Sequence, residues 1–325
     1  MLNTGLATAW YPSAAKRHLL LNSVVTYGDL GTSVAASLQV TTEIVSFSYN
    51  YWPAYGSDTG HTVNGVRLSR AASSLGGAMN YSYLQTSVGH ISSNYCNVSC
   101  YRWPVSRRVA EDGLGNYDHT TIIYTSGKLY IEPDPLDPNK KRYITFLGFA
   151  NVATTVLDRS TSSSTGGAAL RRDEYNFHNV TGANTPEPRA GKLITQTTFR
   201  HTNSGACSGW QIASTWDATW CRMAQASTQW SAWTLSGAVE TAATPGTTQP
   251  VWVRQESQTT VTDGTATSVD TFYEPVRQGG GQYGNVTLVK EFDGSAINTT
   301  PLRQTTTDYY PNVGANLVGQ PGRVR

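Results

Sequence analysis

From Gln282 to Arg325 the chain alternates short β-branched runs with turn signals, a rhythm that few folds other than stacked hairpins accommodate. Tyr283-Gly284-Asn285 opens one run and Phe292-Asp293-Gly294 closes it. A Thr-rich stretch then leads into Asp308-Tyr309-Tyr310-Pro311-Asn312. Gly, Asn and Asp at such points supply the positive φ that tight hairpin turns demand. An aromatic residue beside each turn gives the neighbouring strand something to pack on. The expectation is a coil of short antiparallel hairpins.

The same punctuation recurs upstream. Runs at Leu19–Tyr27, Val40–Tyr49, Val98–Val109, Thr120–Tyr124, Lys192–Arg200, Pro250–Glu256, Asn285–Phe292 and Leu302–Tyr310 are each bounded by Gly, Asp, Asn, Ser or Pro. Short strands at regular spacing predict an all-β protein. Ala14–Leu20 is the one short stretch with helical character. Charged residues make up 14 % of the 325-residue chain, against roughly 25 % in an average domain. Thr, Ser, Gly, Tyr and Trp take their place, and Thr, Tyr and Trp suit pleated, half-buried surfaces. With 18 Tyr, 9 Trp and 7 Phe, the chain carries too much apolar material for a disordered one.

Charge excludes some functions. The net charge of +2 is spread over mixed signs, whereas a nucleic-acid binder presents a basic stripe and a pI above about 9. No apolar run approaches the roughly 18 residues of a membrane-spanning helix. The amino terminus lacks the basic-then-apolar order of a signal peptide, and the chain reads as an internal piece of a longer protein. Three polar stretches read as connections: Ala54–Gly65, the Pro-rich Pro133–Lys141 as an irregular loop, and Ser160–Gly167 as a flexible segment. The chain is expected to form one continuous β-rich segment over residues 1–325, with a subdivision near 160–175 as the alternative.

Candidate chemistry is sparse. Gly205-Ala206-Cys207-Ser208-Gly209 has the outline of a nucleophile elbow, but that motif needs an acid and a His later in the chain, and the last His is His201. Gly279-Gly280-Gly281-Gln282-Tyr283-Gly284 fits G-x-G-x-x-G, yet a strand follows where a phosphate-holding helix is required. The six histidines lack metal-ligand spacing. Cys207 and Cys221 flank a short insert between strand-like runs, which allows a disulfide across a hairpin or two unpaired thiols. Cys96 and Cys100 are close enough for a local bridge or for two metal ligands, the C-x3-C spacing being a weak metal signal. No catalytic residue, metal or cofactor is expected. The Trp-rich stretch from Trp210 to Trp252 reads as sheet packing. The alternative is an adhesin or carbohydrate-binding surface in which Trp230 and Trp233 stack on cell-surface glycan.

One further set of motifs orders the chain. Tyr101-Arg102-Trp103-Pro104-Val105 leads into Asp112-Gly113-Leu114-Gly115-Asn116, then a Tyr-rich strand, then Phe146-Leu147-Gly148-Phe149 and a Val-rich strand ending at Asp158. Together with Phe47-Ser48-Tyr49-Asn50 and Gly76 to Tyr83, this order resembles the shell segment of bacterial Rhs/YD-repeat proteins. The resemblance runs from about residue 20 to the end. It implies a β shell built of coiled hairpins, with Asp112, Gly113, Gly115, Asn116, Tyr283, Gly284, Asn285, Asp293 and Gly294 as family-like turn residues. It also implies a secreted or surface-associated polymorphic toxin or toxin-complex component. The partners would be the remainder of the shell and an enclosed effector domain. The family's carboxy-terminal core signature, with its self-cleaving aspartyl site, is not found here.

Overall fold

The computed structural model describes residues 3–7, 20–28, 40–52, 65–84, 86–90, 100–134, 137–179, 187–202, 207, 219–244, 251–277, 282–294, 300–309 and 321–325. Every regular element among them is a strand. In chain order these are β1 (Asn3–Ala7), β2 (Leu20–Gly28), β3 (Val40–Trp52), β4 (Gly65–Ser73), β5 (Ala78–Tyr83), β6 (Thr86–His90) and β7 (Cys100–Arg102). Next come β8 (Val105–Glu111), β9 (Tyr117–Asp134), β10 (Asp137–Leu157), β11 (Ala169–Phe177), β12 (Leu193–His201), β13 (Trp220–Ser236) and β14 (Val239–Ala242). The last are β15 (Val251–Thr262), β16 (Thr265–Tyr273), β17 (Val276–Arg277), β18 (Gln282–Tyr283), β19 (Val286–Asp293), β20 (Arg303–Tyr309) and β21 (Pro321–Val324). The protein is all-β, built from many short antiparallel hairpins.

The chain divides into two compact units. The first comprises Met1–Thr86, Tyr101–Ile122 and Thr155–Leu170; the second comprises Ser87–Cys100, Ile123–Thr154 and Arg171–Arg325. In the first, β1, β2, β3, β4, β5, β8 and the start of β9 pair antiparallel in that order. In the second, the order is β11, β12, β13, β15, β16, β19, β20 and β21. There β14 folds back on the end of β13 and pairs with β17, which pairs with β18. Strand β6 joins β9 in parallel through Val88 and Gly127.

Three expectations are corrected. The run Val98–Val109 is broken between Arg102 and Val105, because Pro104 has no N–H to give a ladder. The irregular loop expected over Pro133–Lys141 is strand on both sides, β9 reaching Asp134 and β10 starting at Asp137; at a hairpin's end a proline displaces no ladder bond. Ser160–Gly167 is not slack. Ser160 exchanges backbone bonds with Tyr117, and the Ser162 hydroxyl accepts from the Ser164 and Thr165 amides. Ala14–His18, residues 53–64, Cys96, Trp210, Trp216 and Gly279–Gly281 lie outside the described residues.

Little is fully buried. Among the described residues the buried apolar side chains are Val88, Val109, Ala153, Phe199, Trp220, Cys221 and Ala232. Strands β16 and β19 contain no buried residue, and β15 contains one, Arg254. An antiparallel sheet packed on a core alternates buried with exposed positions. Here β19 is half-buried from Val286 to Phe292, on both faces, while β16 alternates exposed Thr265, Thr267 and Val269 with half-buried Ala266, Ser268 and Asp270.

The register follows one rule. Tyr27, Tyr49, Tyr83, Phe177, Phe199, Trp230, Tyr273 and Tyr309 each stand immediately after a register shift, where the partner strand carries one extra residue. Leu6 is the aliphatic case among the described ladders. Across the bulge Tyr83 meets Val105 and Tyr273 meets Val286. At both, the extra residue's hydroxyl returns to the carbonyl before the aromatic: Ser106 to Ser82 and Thr287 to Phe272. Most lie toward the end at which the chain leaves a strand for a longer connection; Trp230 lies within β13, just past the end of its ladder with β12. The opposite ends close tightly, as at Asp263-Gly264 between β15 and β16, where Asp263 has φ 49°. A bulge strengthens local twist and re-aims the side chain beside it.

Candidate functional site

The most organised polar cluster among the described residues is built around Arg254 in the second unit. Trp233 on β13 lies directly across from Trp252 on β15, and Arg254 follows two residues later on the same face. The guanidinium lies 5.8 Å from the Trp233 ring centre, 5.9 Å from Trp252 and 5.1 Å from Tyr273. Glu240 on β14 completes the cage. Arg254 Nη1 donates to its Oε1 at 2.8 Å, Trp252 Nε1 donates to the same oxygen at 2.9 Å, and the Val276 amide donates to Oε2 at 3.1 Å. Both charges are almost wholly buried, the side chains of Arg254 and Glu240 being 9 % and 4 % exposed. A buried ion pair is best tolerated when its remaining polar atoms are hydrogen-bonded. Glu240 meets that condition with three donors, while Arg254 Nη2 is buried against Gly284 without a hydrogen-bond partner among the described residues.

The turn residues identified in the sequence support this cage. Glu274 Oε1 accepts from the Tyr283 amide at 2.9 Å, the Asn285 amide at 3.4 Å and Asn285 Nδ2 at 2.8 Å. Gly284 between them has φ 77° and lies against Arg254, so that a Cβ there would fall 2.5 Å from Nη2. Asp293 ends β19, and Gly294 (φ 93°) donates to the Ala266 carbonyl. In the first unit, Asp112 organises its turn alone. Oδ1 accepts from the Leu114 and Asn116 amides at 2.8 and 3.1 Å, and Oδ2 accepts from Asn116 Nδ2 at 2.8 Å. The Asn116 side chain, then the Leu114 amide, hold the Asp112 carboxyl below the usual range. Gly113 (φ 78°) packs on the backbone of Gly76, where a Cβ would fall 2.5 Å from the carbonyl oxygen; Gly115 (φ 86°) faces open space.

The remaining candidates are placed as follows. Cys207 and Cys221 form a disulfide with Cα atoms 5.3 Å apart, and Cys221 is buried. Trp230 and Trp233 lie three residues apart on a regular stretch of β13, which directs them to opposite faces. Trp230 donates from Nε1 to the Leu193 carbonyl at 2.7 Å and carries Lys192 over its ring, while Trp233 donates to Ser231 Oγ at 2.6 Å. The two rings therefore do not form a common stacking platform.

Sequence reasoning did not find Glu240, Arg254, Tyr273 or Glu274, because their convergence depends on strand pairing that no local motif announces. It also passed over His119. That ring is fully buried: Nδ1 accepts from Arg107 Nη2 at 2.7 Å and Nε2 donates to the Ser162 carbonyl at 2.9 Å. His119 thus fastens the Ser-rich loop to β9. Among the described residues no three His, Cys, Asp or Glu side chains converge as metal ligands would, and no helix is long and apolar enough to cross a membrane. What these clusters do chemically is satisfy buried charge and fix strand ends.

No family model matches the sequence, and no curated protein matches it. Among solved structures, the chain is similar to one in the Photorhabdus luminescens Tc holotoxin pore, at 9 % identity and a TM-score of 0.45. That similarity covers 91 % of this chain and 16 % of the other, so the chain spans about a sixth of its length.

Proposed function

We propose that this chain is a wall segment of an Rhs/YD-repeat-like shell that houses a carboxy-terminal toxin or effector, with no catalysis of its own. The observation that carries this reading is that β16 and β19 bury no residue on either face, β19 being half-buried from Val286 to Phe292. A wall separates two compartments and presents a surface to each, whereas a globular enzyme or binding module buries one face of its sheet. The aromatic residues at the bulges and the Asp-Gly turns at 112–113, 263–264 and 293–294 support the same reading, since they recur along the chain as a winding sheet needs. The partners are the remainder of the shell and the enclosed effector, and the site of action is extracellular or at the cell surface.

Sedimentation velocity and thermal melting of the isolated chain test this. A wall segment presents unpaired strand edges and self-associates. A monomer that melts in one cooperative transition contradicts the wall reading. If that monomer also binds glycan and loses binding on Trp230→Ala or Trp233→Ala, the protein is an adhesive module instead.

A further inference from the structure

The strand exits are connected to one another. At β12 and β13 the ladder begins at Thr195↔Ser227, and two residues before Thr195 the Leu193 carbonyl accepts from Trp230 Nε1 at 2.7 Å. At β15 and β16 it begins at Ser257↔Asp270, and two residues before Ser257 the Gln255 carbonyl accepts from the Tyr273 hydroxyl at 2.9 Å. At β4 and β5 it begins at Arg70↔Asn80, and two residues before Arg70 the Leu68 carbonyl accepts from the Tyr83 hydroxyl at 2.7 Å. In each case the residue before the acceptor is basic and lies over the donor ring: Lys192 over Trp230 at 5.2 Å, Arg254 over Tyr273 at 5.1 Å, and Arg67 over Tyr83 at 5.8 Å.

The acceptors are the same residues that sit opposite the preceding bulge. Leu193 faces Phe177, Gln255 faces Trp230, and Leu68 faces Tyr49. Each strand therefore enters with a residue that receives the previous exit across a bulge. That residue's carbonyl, beyond the end of the next ladder, is closed by the head of the next exit aromatic. Backbone carbonyls left without a donor are costly when shielded from water, so the second contact completes what the ladder leaves open. Burial raises the Tyr83 and Tyr273 hydroxyls above their usual range.

We infer that these contacts form a register relay, in which each exit aromatic fixes the entry of the next strand and so transmits register from hairpin to hairpin. In the second unit the relay runs through Phe177, Leu193, Trp230, Gln255, Tyr273 and Val286. In the first it runs through Tyr49, Leu68, Tyr83 and Val105. A one-residue slip turns every side chain of a strand to the other face, and half-buried faces specify register weakly. The relay supplies the specification that burial does not. It holds whether or not the chain encloses anything.

Hydrogen exchange on the full chain tests the relay, using Tyr273→Phe, Trp230→Phe and the double variant. Tyr273→Phe keeps the ring and removes its donor, whereas Trp230→Phe removes the donor and trims the indole to a phenyl. Tyr273→Phe is expected to speed exchange roughly ten- to hundredfold in β15 and β19 as well as in β16. Because Gln255 is shared, the double variant is expected to fall short of the product of the single effects by threefold or more. Effects confined to each variant's own hairpin, or effects that multiply, overturn the relay. If Trp230→Phe fails to fold, the spread of the Tyr273→Phe effect into β19, outside its own β15–β16 hairpin, decides alone.

Discussion

At Gly284 two demands coincide: a positive φ and contact with the Arg254 guanidinium. Gly115 has the first demand without the second. Gly115→Ala should cost about 1–2 kcal/mol, the ordinary penalty for an L-residue in that region. Gly284→Ala should cost clearly more, because Arg254 cannot shift without leaving Glu240; equal losses in urea unfolding would contradict the packing described. Glu240→Gln removes the charge that pairs with a buried arginine and should cost roughly 3–5 kcal/mol, read from the same unfolding curves. Asp112 gives a pH prediction. Its folded pKa is depressed, so its contribution is present above the unfolded value near about 3.9 and is lost as pH falls through the lower folded value. An NMR titration should show the Asp112 carboxyl and the Leu114 and Asn116 amides moving together below that value; titration at or above it would refute the turn geometry.

At the scale of elements, the hairpin joining β12 to β13 carries the one covalent brace among the described residues. Closing a loop of this size contributes about 3 kcal/mol in the chain-entropy view. Reduction, or Cys207→Ser with Cys221→Ser, should therefore lower stability by that order while leaving the Thr202 to Thr219 backbone bond in place; an unchanged unfolding midpoint would show that the brace does nothing. This scale also separates what the sequence discloses from what it hides. Asp112-Gly113 and Tyr283-Gly284-Asn285 are legible because a turn's chemistry is local. The Glu240–Arg254 pair is not, since it needs β14 to fold back on β13 and the Trp230 bulge to set β15. Pro133–Lys141 misleads for a related reason: its prolines suggest a loop, yet Pro133 lies at the end of β9 and Pro138 at the start of β10, where a strand tolerates them. Ser160–Gly167 looks slack by composition, yet its serine hydroxyls and His119 fasten it.

At the scale of the molecule, the composition already hints at a thin architecture. A chain with 14 % charged residues and abundant Thr and Tyr has few large aliphatics for a deep core, while its Thr residues can face water without charge. Its residues suit a sheet of strands that bury little, such as β16 and β19, and the inferred relay would give each unit's strands a fixed register. Such a sheet gains stability from its neighbours more than from its own interior, which accords with a wall better than with an independent module. The most direct measurement is electron cryo-microscopy of the natural full-length protein that contains this segment. The account predicts that β4 to β20 lie in the wall of a closed cavity holding a second polypeptide segment. A freestanding domain with one solvent-facing side and no enclosed chain would contradict it.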